Sequence, residues 1–303
     1  MQFTEQFYSY LLHQKKYSVH TVDAYKNDLE SFTLFLGDTY EGFPVVQADE
    51  QMIRSWLASL MEKGIKPSSI KRKKASLTTF FKYCLKLGII KKIPTKLIKT
   101  PKPEKRLPVF ITENKIKLLF TADFFEIKDY NDLLSRMILE TLYATGLRVS
   151  ELVSLKDASF DLNIEHIKVL GKQNKERLIP IHRNFIQMIR QFISVRNLAT
   201  DGIDTDDSFF LTIKGKKINR KFAYRVIFSY LSTITSMKKK SPHIMRHTFA
   251  THMLNEGADI NAIKDMLGHS SLAATQFYTH NTIDQLKNVY KNAHPKSLKR
   301  RKL

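Results

Sequence analysis

Four of the nine prolines in this 303-residue chain fall inside fifteen residues, PTKLIKTPKPEKRLP at 94–108. Proline removes a backbone donor and fixes φ, so neither a helix nor an interior strand runs easily through such a stretch. The chain therefore reads as two bodies joined by an extended tether. The division gives a first domain at 1–97, a basic linker at 98–107 and a second domain at 108–303.

Charge singles out the region before the tether. From Lys63 to Arg106 there are fifteen Lys or Arg and one acid, Glu104, which is +14 of the chain's formal +21. A block of one sign repels itself unless an anion lies near. Nucleic acid, an anionic membrane surface or an acidic protein would each serve, and the density favours nucleic acid. Within the block, 68–87 alternates Ile70, Leu77, Phe80, Phe81 and Leu85 with Lys71, Arg72, Lys74, Lys82 and Lys86 at helical spacing. Such a helix packs on a core and turns Lys71, Arg72 and Lys74 toward a phosphate backbone. A single cysteine, Cys84, excludes an internal disulfide and a Cys-rich zinc module. No apolar run reaches the roughly 18 residues of a membrane helix. Phe3, Phe7 and Leu11 recur every four residues among charges, which is an amphipathic helix and not a signal peptide. The expectation is a cytoplasmic protein with no membrane partner.

The fold class expected is mainly α. The first domain reads as helices near 2–14, 18–36, 50–63, 67–87 and 91–98, with Gly64 ending one helix and Ser68–Ser69 capping the next. The second reads as mixed but mostly helical. A buried helix spans 131–144, strands at 165–170 and 177–181 flank the polar turn GKQNKE, and helices follow near 183–198, 219–235, 243–256, 259–267, 272–280 and 282–292.

Several residues there could carry chemistry. In SPHIMRH, Ser241 and Pro242 suit a helix start, which places His243 and Arg246 on one face near free N–H groups that favour an anion. In ATGLRVSEL, Gly146 breaks a helix, Arg148 opens the next, and Glu151 three residues on can orient Arg148. Lys172 and Lys175 both stand in the hairpin turn within reach of a ligand. LGHSS carries His269 behind a helix-ending glycine, and FYTH carries Tyr278. No metal site is expected: His243 and His247 are four apart, but no acid stands in an H-E-x-x-H frame and Arg246 would repel a cation.

Together and in this order, ATGLRVSEL, GKQNKERLIP, HIMRHTFATHML, LGHSS and FYTH resemble the tyrosine recombinases, and among them the Xer-like recombinases. The first domain resembles that family's helical core-binding domain, and the second its catalytic domain. The resemblance implies that Arg148 and Arg246 bind the scissile phosphate and that Lys172, directly after Gly171, and His243 transfer protons. It also implies that His269 bonds the phosphate, that Tyr278 is the nucleophile and that Glu151 supports the site. It implies a 3′-phosphotyrosyl intermediate on double-stranded DNA, no cofactor, a homo- or hetero-tetramer of protomers on two sites, and a DNA translocase as a further partner. Compact length and the missing arm-binding domain favour chromosome dimer resolution over integration or excision of a mobile element. The rivals are a type IB topoisomerase-like enzyme and a DNA-binding protein without catalysis.

Overall fold

The computed structural model describes residues 2–101, 110–121, 126–171, 175–237, 240–268 and 280–296. It divides into two compact units, 1–106 and 107–303. The architecture is the expected one, mainly helical with a small antiparallel sheet in the second unit.

Among its described residues the first unit holds four α-helices: α1 (Gln2–Ser9, continued by a π-helical turn at Tyr10–Gln14), α2 (Val19–Thr39), α3 (Glu50–Glu62) and α4 (Pro67–Lys86). Ser18 and Asp49 cap α2 and α3, accepting from the Thr21 and Met52 amides. Apolar faces close on one core in which Trp56 meets Phe32 at 5.0 Å between ring centroids and Phe7 meets Phe80 edge-on at 5.3 Å. Three expectations change here. Helix α4 starts at Pro67 in the first turn, where its missing N–H costs nothing, so Ser68 and Ser69 are not caps. Leu85 is exposed, and Tyr83 and Cys84 take its place in the core. Residues 91–98 form turns instead of a helix: Pro94 interrupts them, Thr95 bonds Thr78 at 2.8 Å, and Ile98 seats in the core as a plug.

Asp28 of α2 is fully buried. It accepts from the Ser76 hydroxyl at 2.7 Å and from Lys73 Nζ at 3.1 Å, and it pairs with Arg72, all three on α4. Of the cations expected to face a phosphate backbone, Arg72 is therefore engaged within the unit, although nearly half exposed. Lys71 is exposed and Lys74 half-buried. The tether at 102–109 lies outside the described residues.

The second unit is built on α6 (Tyr130–Thr145), which follows the short α5 (Glu113–Leu119). Twelve of its sixteen residues are buried, with Asp129 capping its start and Gly146 its end. After α7 (Val149–Leu152) come β1 (Phe160–Asp161), β2 (His166–Leu170) and β3 (Glu176–Pro180) in the order β1-β2-β3, all antiparallel. The two expected strands are present, and the extra one, β1, is two residues long and too short to show a pattern. Ile167 pairs with Ile179 and Val169 with Arg177, and all four side chains are buried. Helices α8 (Arg183–Ala199), α9 (Arg220–Ile234), α10 (Pro242–Asn255), α11 (Ile260–Leu267) and α12 (His280–Ala293) follow among the described residues. The expected helix at 272–280 falls almost wholly outside the described residues. The chain enters the unit against α10: the Ile111 amide donates to Thr248 Oγ1 at 3.0 Å, and His252 Nε2 donates to the Ile111 carbonyl at 2.8 Å. Among the described residues no helix is long and apolar enough to cross a membrane.

Candidate active site

Gly146 lets α6 stop abruptly. It takes a left-handed φ of +62°, and a Cβ there would lie 2.5 Å from Phe249 Cδ1 and 2.8 Å from Leu267 Cδ2. Only glycine fits both the dihedral and the space. The chain then turns through buried Leu147 to Arg148, the residue before α7. Glu151 fastens this turn, accepting from the Arg148 backbone amide at 2.8 Å and from Arg148 Nη1 at 2.8 Å.

Two more arginines arrive from elsewhere. Arg177 of β3 grips the same carboxylate with both terminal nitrogens, at 3.0 and 2.8 Å. Arg246, on the second turn of α10, donates to the Gly146 carbonyl at 2.8 Å and to the Leu267 carbonyl at 2.5 Å. Arg177 Nε bonds the Met266 carbonyl at 2.7 Å, and Arg148 Nη2 reaches the Gly268 carbonyl at 3.4 Å. The three successive carbonyls that end α11 thus each meet one guanidinium, and the negative end of the helix dipole favours that.

Charge does not balance. Three guanidinium groups share one carboxylate, and Arg177, Glu151 and Arg246 are only 4%, 6% and 8% exposed. Burial opposes ionisation of Glu151. The bonds and charge of Arg177, with the bonds from Arg148, outweigh it and hold the carboxyl below its ordinary value. Arg246 shows the opposite stress: burial first, then the neighbouring Arg148, pulls its guanidinium down to about 10. It remains charged at neutral pH, and among the described residues its hydrogen bonds go to carbonyls and not to a carboxylate. A guanidinium has five N–H donors, so the two carbonyl bonds of Arg246 leave three for a ligand. Arg148, with 37% of its side chain exposed, keeps donors at the surface as well. The arrangement calls for an anion presenting several oxygens.

A cleft of about 260 Å³ opens there, lined by Arg148, Val149, Arg220, Tyr224, His243 and Arg246 among others. His243 stands exposed at the start of α10. The fold thus brings together Arg148, Glu151, His243 and Arg246 from segments about a hundred residues apart. Ser241 is not the side-chain cap that its position suggested, since Pro242 in the first turn makes a cap less needed. Lys172, His269 and Tyr278 lie outside the described residues. The glycines directly before the first two are described: Gly171 donates to the Lys175 carbonyl at 2.8 Å, and the Gly268 carbonyl faces Arg148. Among the described residues no cluster of three His, Cys, Asp or Glu could hold a metal ion.

Sequence reasoning passed over Arg177, Arg220 and Tyr224. Arg177 carried a usable signal, because strand alternation puts it on the same face as Ile179, and a cation on an apolar strand face needs a buried acid. Arg220 and Tyr224 carried none, since their place in the cleft depends on how α9 packs against α7.

The chain is similar to known proteins along both of its units. The phage integrase family matches residues 110–285, and the phage integrase N-terminal SAM-like domain matches residues 4–88. Tyrosine recombinase XerC of Pelobacter propionicus is 38% identical over 97% of this chain and 96% of its own length. Tyrosine recombinase XerD of Staphylococcus haemolyticus is 36% identical over 97% of this chain and 98% of its own. Solved structures share the fold at lower identity. XerH site-specific recombinase bound to a palindromic difH substrate superposes with a TM-score of 0.71, at 18% identity, over 97% of this chain and 82% of that one. The Tn1549 transposon integrase in complex with transposon right end DNA gives 0.69 at 22% identity, over 97% and 96%. Family models that match both units, and relatives that align from end to end, lead to one conclusion: the chain belongs to the phage integrase family and is a site-specific tyrosine recombinase.

Proposed function

We propose that this recombinase cuts and rejoins duplex DNA through Tyr278, with Arg148 and Arg246 holding the scissile phosphate. The observation that carries this reading is the surplus of buried positive charge at the cleft. A phosphodiester resists attack because its charge repels nucleophiles, and its transition state puts more charge on the nonbridging oxygens. Arginine forks fixed in advance against those oxygens stabilise the transition state more than the ground state. The Glu151 and backbone bonds fix them, so little reorganisation is needed during reaction.

The Tyr278 oxygen attacks phosphorus and its proton passes to His243. The bond from phosphorus to the 5′ oxygen breaks, and Lys172 protonates that oxygen. His269 donates to a nonbridging oxygen. The products are a 3′-phosphotyrosyl link and a free 5′-hydroxyl. A 5′-hydroxyl from another strand then displaces the tyrosine. One phosphodiester is kept throughout, so no nucleotide energy is consumed.

Residues 1–97 form the core-binding domain, 98–107 the linker and 108–303 the catalytic domain. Each domain contributes to DNA binding, with Lys71, Lys74 and the exposed part of Arg72 against the duplex backbone. Four protomers of one or two kinds act on two sites in the cytoplasm, in chromosome dimer resolution, with a DNA translocase as partner. A nicked duplex that loses its short 5′-hydroxyl fragment on cleavage tests the chemistry. Wild type should leave a denaturant-resistant protein–DNA adduct and Tyr278→Phe none. An adduct with the variant removes Tyr278 as nucleophile. Two labelled sites that never recombine remove strand exchange.

A further inference from the structure

Arg177 has no part in the steps above, yet it bonds both Glu151 and the end of α11. It lies on the inward face of β3, opposite Val169, and is almost wholly buried. Its two terminal nitrogens take Glu151, which in turn holds both the backbone and the side chain of Arg148. Its third nitrogen, Nε, takes the Met266 carbonyl at the end of α11. Two glycines also lie against the same guanidinium. A Cβ on Gly171 would come within 3.4 Å of Nη1, and one on Gly268 within 3.2 Å of Nη1 and of Cδ. These are the residues directly before Lys172 and His269. One planar group therefore spans the carboxylate that aims Arg148 and the backbone from which two further site residues leave.

We infer that Arg177 is a positioning residue for strand cleavage: it aims Arg148 through Glu151 and fixes the end of α11 that leads to His269. It does not meet the substrate. Only arginine can do this, because its planar fork bonds a carboxylate twice while Nε points elsewhere. A lysine offers one charged point and would have to choose between Glu151 and Met266. A purely structural ion pair has a different signature, since an interior of matching volume commonly replaces such a pair without loss.

The inference rests on the proposed cleavage reaction, so wild type is run beside every variant. Arg177→Lys keeps the buried charge and loses the fork. It should bind DNA within about twofold of wild type and melt cooperatively. Its rate of adduct formation at saturating protein should fall about 10- to 100-fold, the order of loss that a misplacement near 1 Å causes. In an Arg148→Ala background the same change should cost at least about threefold less than in wild type, because one of the two things it positions is gone. A cleavage rate within about threefold of wild type overturns the inference, and so does a loss of equal size in both backgrounds. If Arg177→Lys does not fold, the doubly neutral pair E151Q/R177Q keeps amide hydrogen bonds without a buried charge and is judged by its saturating rate: a loss of 10-fold or more supports the inference and wild-type cleavage ends it. A wild type that forms no adduct removes the proposed function and this inference with it; a wild type that traps while Arg177→Lys traps equally removes this inference alone.

Discussion

Replacing Gly146 by alanine should weaken the catalytic unit by an amount the structure separates into two parts. The first is conformational. A φ of +62° costs an L-residue roughly 1–2 kcal/mol. The second is steric. The new methyl would sit 2.5 Å from Phe249 Cδ1 and 2.8 Å from Leu267 Cδ2, both on buried side chains. Forcing a methyl into a filled core costs about 1–3 kcal/mol. Gly202 supplies the control. Its φ is +70°, but nothing lies within 4 Å of its would-be Cβ, so Gly202→Ala bears the first cost alone. The expected totals are about 3 kcal/mol for Gly146→Ala and about 1 kcal/mol for Gly202→Ala. For a unit of this size those translate to melting points lower by roughly 6–12 °C and 2–4 °C. Circular dichroism follows the unit, while fluorescence of the chain's single tryptophan, Trp56 in the other unit, should not move. Because Leu267 also offers its carbonyl to Arg246, adduct formation should slow in Gly146→Ala and not in Gly202→Ala. Equal melting points for the two variants, within about 1 °C, would refute the packing argument.

Lys71→Ala with Lys74→Ala should weaken DNA binding for every sequence and lower the slope of log affinity against log salt by about one unit per lost contact. An unchanged slope means that this face of α4 turns away from DNA; Arg72 is left intact because its loss would also strip buried Asp28 of a partner. Stability should fall as pH drops below about 6.5, the ordinary histidine value. Burial holds His182 down at about 4 and His294 at about 3, with His252 lowered as well. The unfolded chain therefore takes up protons that the folded chain refuses, and each such histidine contributes up to about 1.4 kcal/mol per pH unit. The effect is complete above pH 6.5, and His294→Gln, which keeps a donor for the Tyr143 carbonyl, should flatten the slope by about one proton. Equal urea midpoints at pH 5 and pH 7.5 would contradict it.

Helix α6 shows what a sequence pattern can carry. An N-cap Asp129, a long apolar run and a left-handed glycine are all local signals, and the observed bounds differ from expectation by one residue at each end. The prolines at 94–108 likewise act through their own rings. Interactions over long separations are silent. Nothing near Asp28 reveals that its partners stand 44 to 48 residues on, and nothing near Glu151 reveals an arginine 26 residues away. The same limit explains 91–98, where Ile98 is buried in the core of the first unit and the segment forms turns instead of a helix. At the site, Arg148 with Glu151 and His243 with Arg246 were legible as neighbours in sequence. The convergence of Arg148 and Arg246 on the carbonyls that end α11 was not, because it belongs to the packing of α6, α10 and α11.

The end of α6 has one more dependence. Its carbonyls at Tyr143 and Ala144 are taken by His294 Nε2 at 3.2 Å and by the Tyr290 hydroxyl at 2.9 Å, partners 151 and 146 residues downstream. Those acceptors sit just before the turn that presents Arg148. A chain cut short before residue 290 would leave both acceptors without these partners, so the far end of the unit helps to hold the turn that presents Arg148.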